Sequence, residues 1–123
     1  MIKGTGIDII DIPRIKKMIE KDNLFQNKIF SATEIEYCSG KHKKEIHFAA
    51  RFASKEAFFK ALGTGWRYGM RWQDISVENN DLGKPDIVLS GKALDFFKES
   101  GMEHIHLSIS HTKEYAVASV IIE

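Results

Sequence analysis

Asp8, Glu56 and Lys60 are the residues whose types and spacing carry the most chemistry in this chain. Glu56 and Lys60 stand four apart in HFAARFASKEAFFKALG, residues 47–63, a stretch whose alanines and long side chains favour a helix, so the two share one face. Asp8 lies among Ile7, Ile9 and Ile10 in a run that reads as a buried strand, where a carboxylate without a partner costs several kcal/mol and is pushed toward its protonated form. A divalent cation removes that cost. Mg²⁺ takes one or two protein carboxylates and completes its shell with water and substrate phosphate oxygens, a description met by an Asp from a strand and a Glu from a facing helix. Two plainer readings stay open: an ordinary i,i+4 ion pair between Glu56 and Lys60, and an Asp8 satisfied by backbone N–H groups at a strand end.

A second group of residues suits an anion. SISHT places His111 and Thr112 at the tip of a final hairpin, beyond a polar strand face of His106, Ser108 and Ser110. With Arg51 or a lysine from KHKK, residues 41–44, His111 makes a plausible phosphate contact. Zinc is a poor reading of His104, His106 and His111, which lack an acidic or cysteine companion at metal spacing. GTG occurs at 4–6 and 63–65 without extending to a nucleotide fingerprint, and Gly63 also serves as a helix stop.

The elements that position these groups follow from local patterns. Residues 2–10 predict a strand, and Asp11–Ile12–Pro13 the capped entry to a helix over 12–22 that turns Ile12, Ile15 and Ile19 inward and leaves Arg14, Lys17 and Lys21 on a basic stripe. Ser31 and Glu34 form a capping box for a short helix ending near Gly40. The central helix has an aromatic stripe of Phe48, Phe52, Phe59 and Leu62, and a small-residue stripe of Ala49, Ala53, Glu56, Lys60 and Gly63 that lets another element come close. After a loop over 66–72, two strands flank a turn at 81–85, Ser90 caps a helix running to Gly101, and strands over 105–110 and 116–122 close an antiparallel hairpin. With no regular βαβ repeat, the expected class is α+β, a mostly antiparallel sheet packed with helices.

Composition narrows the field further. At 123 residues and 43% hydrophobic content, one domain over 1–123 is expected. Cys38 is the sole cysteine, so no intramolecular disulfide forms; with no leader-like start, a cytoplasmic setting is expected. A net charge of +1 announces neither a nucleic acid nor a membrane partner, and no apolar stretch is long enough to span a bilayer.

GTGIDIIDIPRI, FAARFASKEAFFKALGTG, NNDLGKP and SISHTKEYAVASVI, in this order across nearly the whole chain, resemble the holo-(acyl-carrier-protein) synthase family, the short bacterial type of 4′-phosphopantetheinyl transferase. The pairing of a GxD strand with a KExxxK helix is the specific part of that likeness. Two departures are WRYGMRWQ, where glycine-rich sequence is common, and Ser54, where alanine is usual. The resemblance implies the 4′-phosphopantetheinyl transferase fold and transfer of the 4′-phosphopantetheine arm of coenzyme A to a serine of apo acyl carrier protein. It also implies Mg²⁺ dependence, a place in fatty acid biosynthesis, and a homotrimer with active sites between subunits. It makes Asp8 and Glu56 the Mg²⁺ ligands and, with Lys60, the catalytic set. Lys60 is placed near the coenzyme A phosphates, and Arg51, Gly63, Pro85, Ser110, His111 and Thr112 at the nucleotide end. Either Glu56 or a metal-bound water would accept the serine proton. Acyl carrier proteins are acidic, which gives the stripe of Arg14, Lys17 and Lys21 a use, with Met18 and Phe25 adding apolar contact. Two rival readings are a non-catalytic coenzyme A or nucleotide binding module and a plain oligomerisation domain.

Overall fold

The computed structural model describes residues 1–65 and 69–123. The element order is β1 (Gly4–Asp11), α1 (Ile12–Lys21), α2 (Leu24–Ile29), α3 (Ala32–Ser39), α4 (Lys44–Leu62), a 3-10 turn (Trp72–Asp74), β2 (Ile75–Asn79), β3 (Pro85–Leu89), α5 (Gly91–Glu99), β4 (Ile105–His111) and β5 (Tyr115–Ile122). The class is α+β, with two antiparallel sheets: a three-stranded sheet in the order β1-β5-β4 and a two-stranded sheet of β2 and β3. The expected 66–72 loop falls partly on residues 66–68, outside the described residues.

α4 is the axis of the molecule. Phe48, Ala49, Ala53, Ala57 and Phe58 are fully enclosed, and β1, β4, β5, α1, α3 and β2 all pack on it. Its C-terminus is capped by Gly63 at φ 77°, a left-handed conformation that glycine adopts without a Cβ penalty. Asp11 caps α1 as expected, accepting from the Arg14 N–H at 3.4 Å, and Ile12, Ile15 and Ile19 are buried. Ser31 and Glu34 form the expected capping box. Ser90 occupies the N-cap position of α5 but makes no side-chain cap bond, and α2 was not anticipated, because six residues are too few to show a period. Ser54, the departure from alanine, donates to the Ala50 carbonyl at 2.8 Å, which satisfies a buried hydroxyl within the helix itself.

β1 corrects the reading of a uniformly buried strand. Ile7 and Ile9 are 64% and 62% exposed, whereas Gly4, Gly6, Asp8 and Ile10 turn toward the helix side. The period-2 alternation of a strand puts the carboxylate on the inner face and the isoleucines outside.

A buried ion pair braces the other side of α4. Lys55 and Glu34 are both 0% exposed and 2.7 Å apart. The Lys55 ammonium also donates to the carbonyl of Trp72 at 3.0 Å and to that of Ile75. Glu34 accepts the N–H groups of Ser31 and Val77, each at 2.9 Å, so α3, α4, the 3-10 turn and β2 meet at one charge pair. Replacing Lys55 by Met leaves Glu34 buried and uncompensated, and is expected to lower the unfolding free energy by about 3–5 kcal/mol. A denaturant titration read by circular dichroism measures this as a lower midpoint at unchanged slope.

Candidate active site

The site lies where β1 meets the C-terminal half of α4. Gly4 and Gly6 permit the contact: a Cβ on Gly4 would overlap the Ala61 carbonyl oxygen, and one on Gly6 would overlap the Ala57 carbonyl oxygen and stand 2.8 Å from the Ala61 nitrogen. The helix surface that the strand touches is therefore the Ala57–Ala61 backbone, flanked by Glu56 and Lys60, one position round from the stripe expected from sequence. Strand register pairs Asp8 with Ala118 on β5.

This approach brings Asp8, Glu56 and Lys60 together. Lys60 Nζ stands 3.0 Å from Asp8 Oδ1 and donates to the Ile7 carbonyl at 3.0 Å. The ion pair Lys60 makes thus crosses to the strand, and among the described residues no Glu56–Lys60 pair lies within 4 Å, which removes the plain i,i+4 reading. Asp8 Oδ2 is buried without a hydrogen-bond partner. Burial raises the Glu56 carboxyl above its ordinary value, the Asp8 charge raises it further, and Lys60 partly offsets both. The two carboxylates feel each other's charge, and Asp8 keeps a bare buried oxygen, the oxygen-donor chemistry a hard cation takes; no cluster of three His, Cys, Asp or Glu side chains suited to a metal occurs among the described residues. A cavity of about 350 Å³ opens beside them, lined by Glu56, Phe59, Lys60, Gly63, Gly65 and Trp72.

Arg51 is placed elsewhere. Five positions along a helix turn a side chain by about 140°, so Arg51 leaves α4 on a different side from Glu56. It is buried against the Tyr37 ring at 4.2 Å, with Nη2 donating to Asn79 Oδ1 at 3.4 Å and Nε unpartnered. Desolvation first, then the charges of Arg51 and Lys41, lower the His47 imidazole, and His111, at the end of β4, lies near enough to add a smaller effect. Thr112 Oγ1 accepts the N–H groups of Glu114 and Tyr115, which ties the hairpin turn. Pro85 borders a cavity of about 220 Å³ with Lys84, Leu107, Ser108 and Ile109, and Ser110 is exposed on the outer sheet face. A single chain therefore gathers Asp8, Glu56, Lys60 and Gly63 but does not bring Arg51, Pro85, Ser110, His111 and Thr112 to them.

On α1, Arg14, Lys17 and Lys21 are exposed and Met18 is half-buried. Phe25, on α2, packs edge-on to Phe30 and Phe52, so much of its ring belongs to the core. Sequence reasoning did not single out Trp72, which stacks on Phe52, meets Phe59 edge-on and walls the 350 Å³ cavity. Nor did it single out Lys55, whose only signal was its place beside Glu56 in KExxxK.

Fold and site together define the class: the chain belongs to the 4′-phosphopantetheinyl transferase superfamily, whose family model matches residues 4–120. Its relatives there are holo-[acyl-carrier-protein] synthases. The enzyme of that name from Geotalea daltonii is 48% identical over 124 residues, covering 100% of this chain and 99% of the relative. The crystal structure of the Neisseria meningitidis synthase superposes with a TM-score of 0.92 at 32% identity, covering 100% of this chain and 99% of that one. The Bacillus anthracis synthase, solved in complex with CoA (3′,5′-ADP), gives a TM-score of 0.81 at 40% identity over 99% and 96% of the two chains. The chain is accordingly a phosphopantetheinyl transferase enzyme.

Proposed function

We propose that the enzyme transfers the 4′-phosphopantetheine group of coenzyme A to a serine of apo acyl carrier protein, in a Mg²⁺-dependent reaction that releases adenosine 3′,5′-bisphosphate. The observation that carries the reading is the Asp8–Glu56 pair on the glycine-fitted β1–α4 contact, with Asp8 Oδ2 buried and bare. The synthase names of its relatives and the coenzyme A complex of one of them support the substrates.

Asp8 and Glu56 would hold the cation, which would neutralise pyrophosphate charge and polarise the phosphoryl group under attack. The serine oxygen bonds to the β-phosphorus and the bond from that phosphorus to the bridging oxygen breaks. Lys60, which also lines the adjoining cavity, would meet the charge on the departing bisphosphate. Burial and Asp8 raise the Glu56 carboxyl only in the metal-free fold; with the cation in place, either Glu56 or a water beside it would take the serine proton. Phe59 and Trp72 wall the cavity beside these groups.

The same reading includes a homotrimer with sites between subunits. Two features support it: an outer sheet face carrying exposed Ile7 and Ile9, and the separation of the Arg51–His111 region from Asp8 and Glu56 within one chain. Arg51, Pro85, Ser110, His111 and Thr112 would then serve the nucleotide end of a neighbour's site. Sedimentation equilibrium at three times the monomer mass is the expected result, and a monomer at assay concentration contradicts it. The reading further assigns a single domain over 1–123, a cytoplasmic location and a role in fatty acid biosynthesis. No helix among the described residues is long and apolar enough to cross a membrane.

Arg14, Lys17 and Lys21, with Met18 and the rim of Phe25, form the proposed docking stripe for the acidic carrier protein. Reversing Arg14 and Lys21 to Glu is expected to raise KM for the carrier at least about tenfold, the scale of rim charges that steer association, and to leave coenzyme A affinity unchanged. Equal losses for both substrates would remove the stripe from the account. The function itself is tested by nucleotide chromatography: adenosine 3′,5′-bisphosphate accumulates from coenzyme A only when apo carrier protein is present. Release without a carrier would point to a hydrolase, and no release to a binding module.

A further inference from the structure

This inference rests on the metal reading of Asp8 and Glu56, and concerns the state before a cation arrives. Lys60 stands on Asp8 Oδ1 at 3.0 Å and on the Ile7 carbonyl at 3.0 Å. Asp8, with 13% of its side chain exposed, is the fixed member of the pair; Lys60, at 55%, is the movable one. Its four-carbon stem gives the ammonium several ångströms of reach without any movement of the backbone. Asp8 Oδ2 remains bare, and the neighbouring Glu56 feels both the Asp8 charge that repels it and the Lys60 charge that relieves it. The lysine thus acts as counter-ion to two carboxylates that otherwise repel.

We propose that Lys60 is a placeholder cation: it holds Asp8 in the metal-free enzyme, is displaced when a divalent cation enters between Asp8 and Glu56, and turns into the adjoining cavity to meet the coenzyme A phosphates. The shared partner, Asp8, sets the ammonium and an incoming cation in competition, and the charge sum favours the cation-loaded state for an anionic substrate. Two carboxylates and one ammonium sum to a single negative charge, which repels a pyrophosphate; a divalent cation turns the sum to a single positive charge, which attracts it. The ammonium has somewhere to go, because Lys60 already lines the 350 Å³ cavity with Gly63 and Gly65, as well as a hollow beside Gly6 and Ile7. The cation and the lysine compete for Asp8, whereas the cation and coenzyme A assist one another, and both couplings are reciprocal.

One substitution therefore moves two affinities in opposite directions. Lys60→Met, at a largely exposed side chain, is expected to tighten Mn²⁺ binding to the coenzyme A-free protein by about 5- to 150-fold, and to weaken coenzyme A binding at saturating Mn²⁺ on the same scale. Mn²⁺ titration followed by electron paramagnetic resonance measures the first and calorimetry the second. A further readout separates exchange from simple repulsion through space: in protein with ¹³C-methylated lysines, the signal missing from Lys60→Met is expected to move and sharpen in wild type on addition of Mg²⁺. Equal Mn²⁺ affinities overturn the placeholder and leave the metal site standing, as does a Lys60 signal that ignores Mg²⁺. Absence of Mn²⁺ binding to both forms overturns the metal reading along with it.

Discussion

Glu56→Gln is expected to yield a protein that is more stable without metal and has lost transfer. In the metal-free fold the Glu56 carboxyl is raised by burial first and by Asp8 second, so the folded state holds a proton that the unfolded chain releases. Stability of the metal-free wild type accordingly falls as pH rises from the ordinary glutamate value of 4.5 through the raised one. Glutamine carries no charge and removes that loss. The variant's unfolding temperature should match wild type in acid, where both side chains are neutral, and exceed it near neutrality. Saturating Mg²⁺ reverses the ranking: at about 100 times Kd a ligand adds about 2.7 kcal/mol to wild type, and the variant lacks half of the donor set. Transfer is expected to fall about 10³-fold or more, the scale of losing one preorganised electrostatic group. Divalent affinity in wild type should weaken as pH falls through the raised Glu56 value, because proton and cation compete for one carboxylate. Scanning calorimetry at three pH values, with and without Mg²⁺, reads the stability and metal effects, and release of adenosine 3′,5′-bisphosphate reads transfer; a variant less stable than wild type in the absence of metal would show that the carboxylate serves the fold rather than a ligand.

Gly6→Ala is expected to damage both fold and site. Its Cβ would meet the Ala57 carbonyl oxygen and the Ala61 nitrogen, which are helix backbone atoms that no rotamer change can move aside. Strand and helix must separate, at about 1–3 kcal/mol or more for an overpacked contact, and Asp8 moves with the strand. The stabilising effect of Mg²⁺ is expected to vanish even under conditions where the variant is folded. Gly40→Ala is the control: its Cβ would stand 3.8 Å from the nearest atom, the Glu36 carbonyl oxygen, so stability and Mg²⁺ response should both survive. If Gly6→Ala kept the wild-type Mg²⁺ response, close approach of β1 to α4 would not be what builds the site.

Much of the scaffold was legible because it is local. The Asp11 cap, the Ser31–Glu34 box and the Gly63 stop each rest on backbone bonds within a few residues, and all three are present in the fold. The pairing of Asp8 with Lys60 was less accessible, since it depends on which helix face meets the strand. A stripe of small residues predicted close approach but was displaced by one position, because the glycines seek helix carbonyls rather than alanine side chains. The outward turn of Ile7 and Ile9 was hidden for a related reason: period-2 alternation does not say which face is covered when both carry apolar groups. Lys55 and Glu34 were opaque for a different reason. Two charged residues 21 positions apart in sequence look solvated, and only the packing of α3 and β2 against α4 buries them together.

The central claim is that the carboxylate pair at the β1–α4 contact serves metal-dependent transfer to a carrier protein. The most direct measurement is the intact mass of an apo acyl carrier protein after incubation with this enzyme and coenzyme A, with Mg²⁺ present and again after chelation. The account predicts the phosphopantetheine mass increment with Mg²⁺, its loss on chelation and its return when the metal is restored. An unchanged mass under every metal condition, or full modification in the chelated sample, would contradict it.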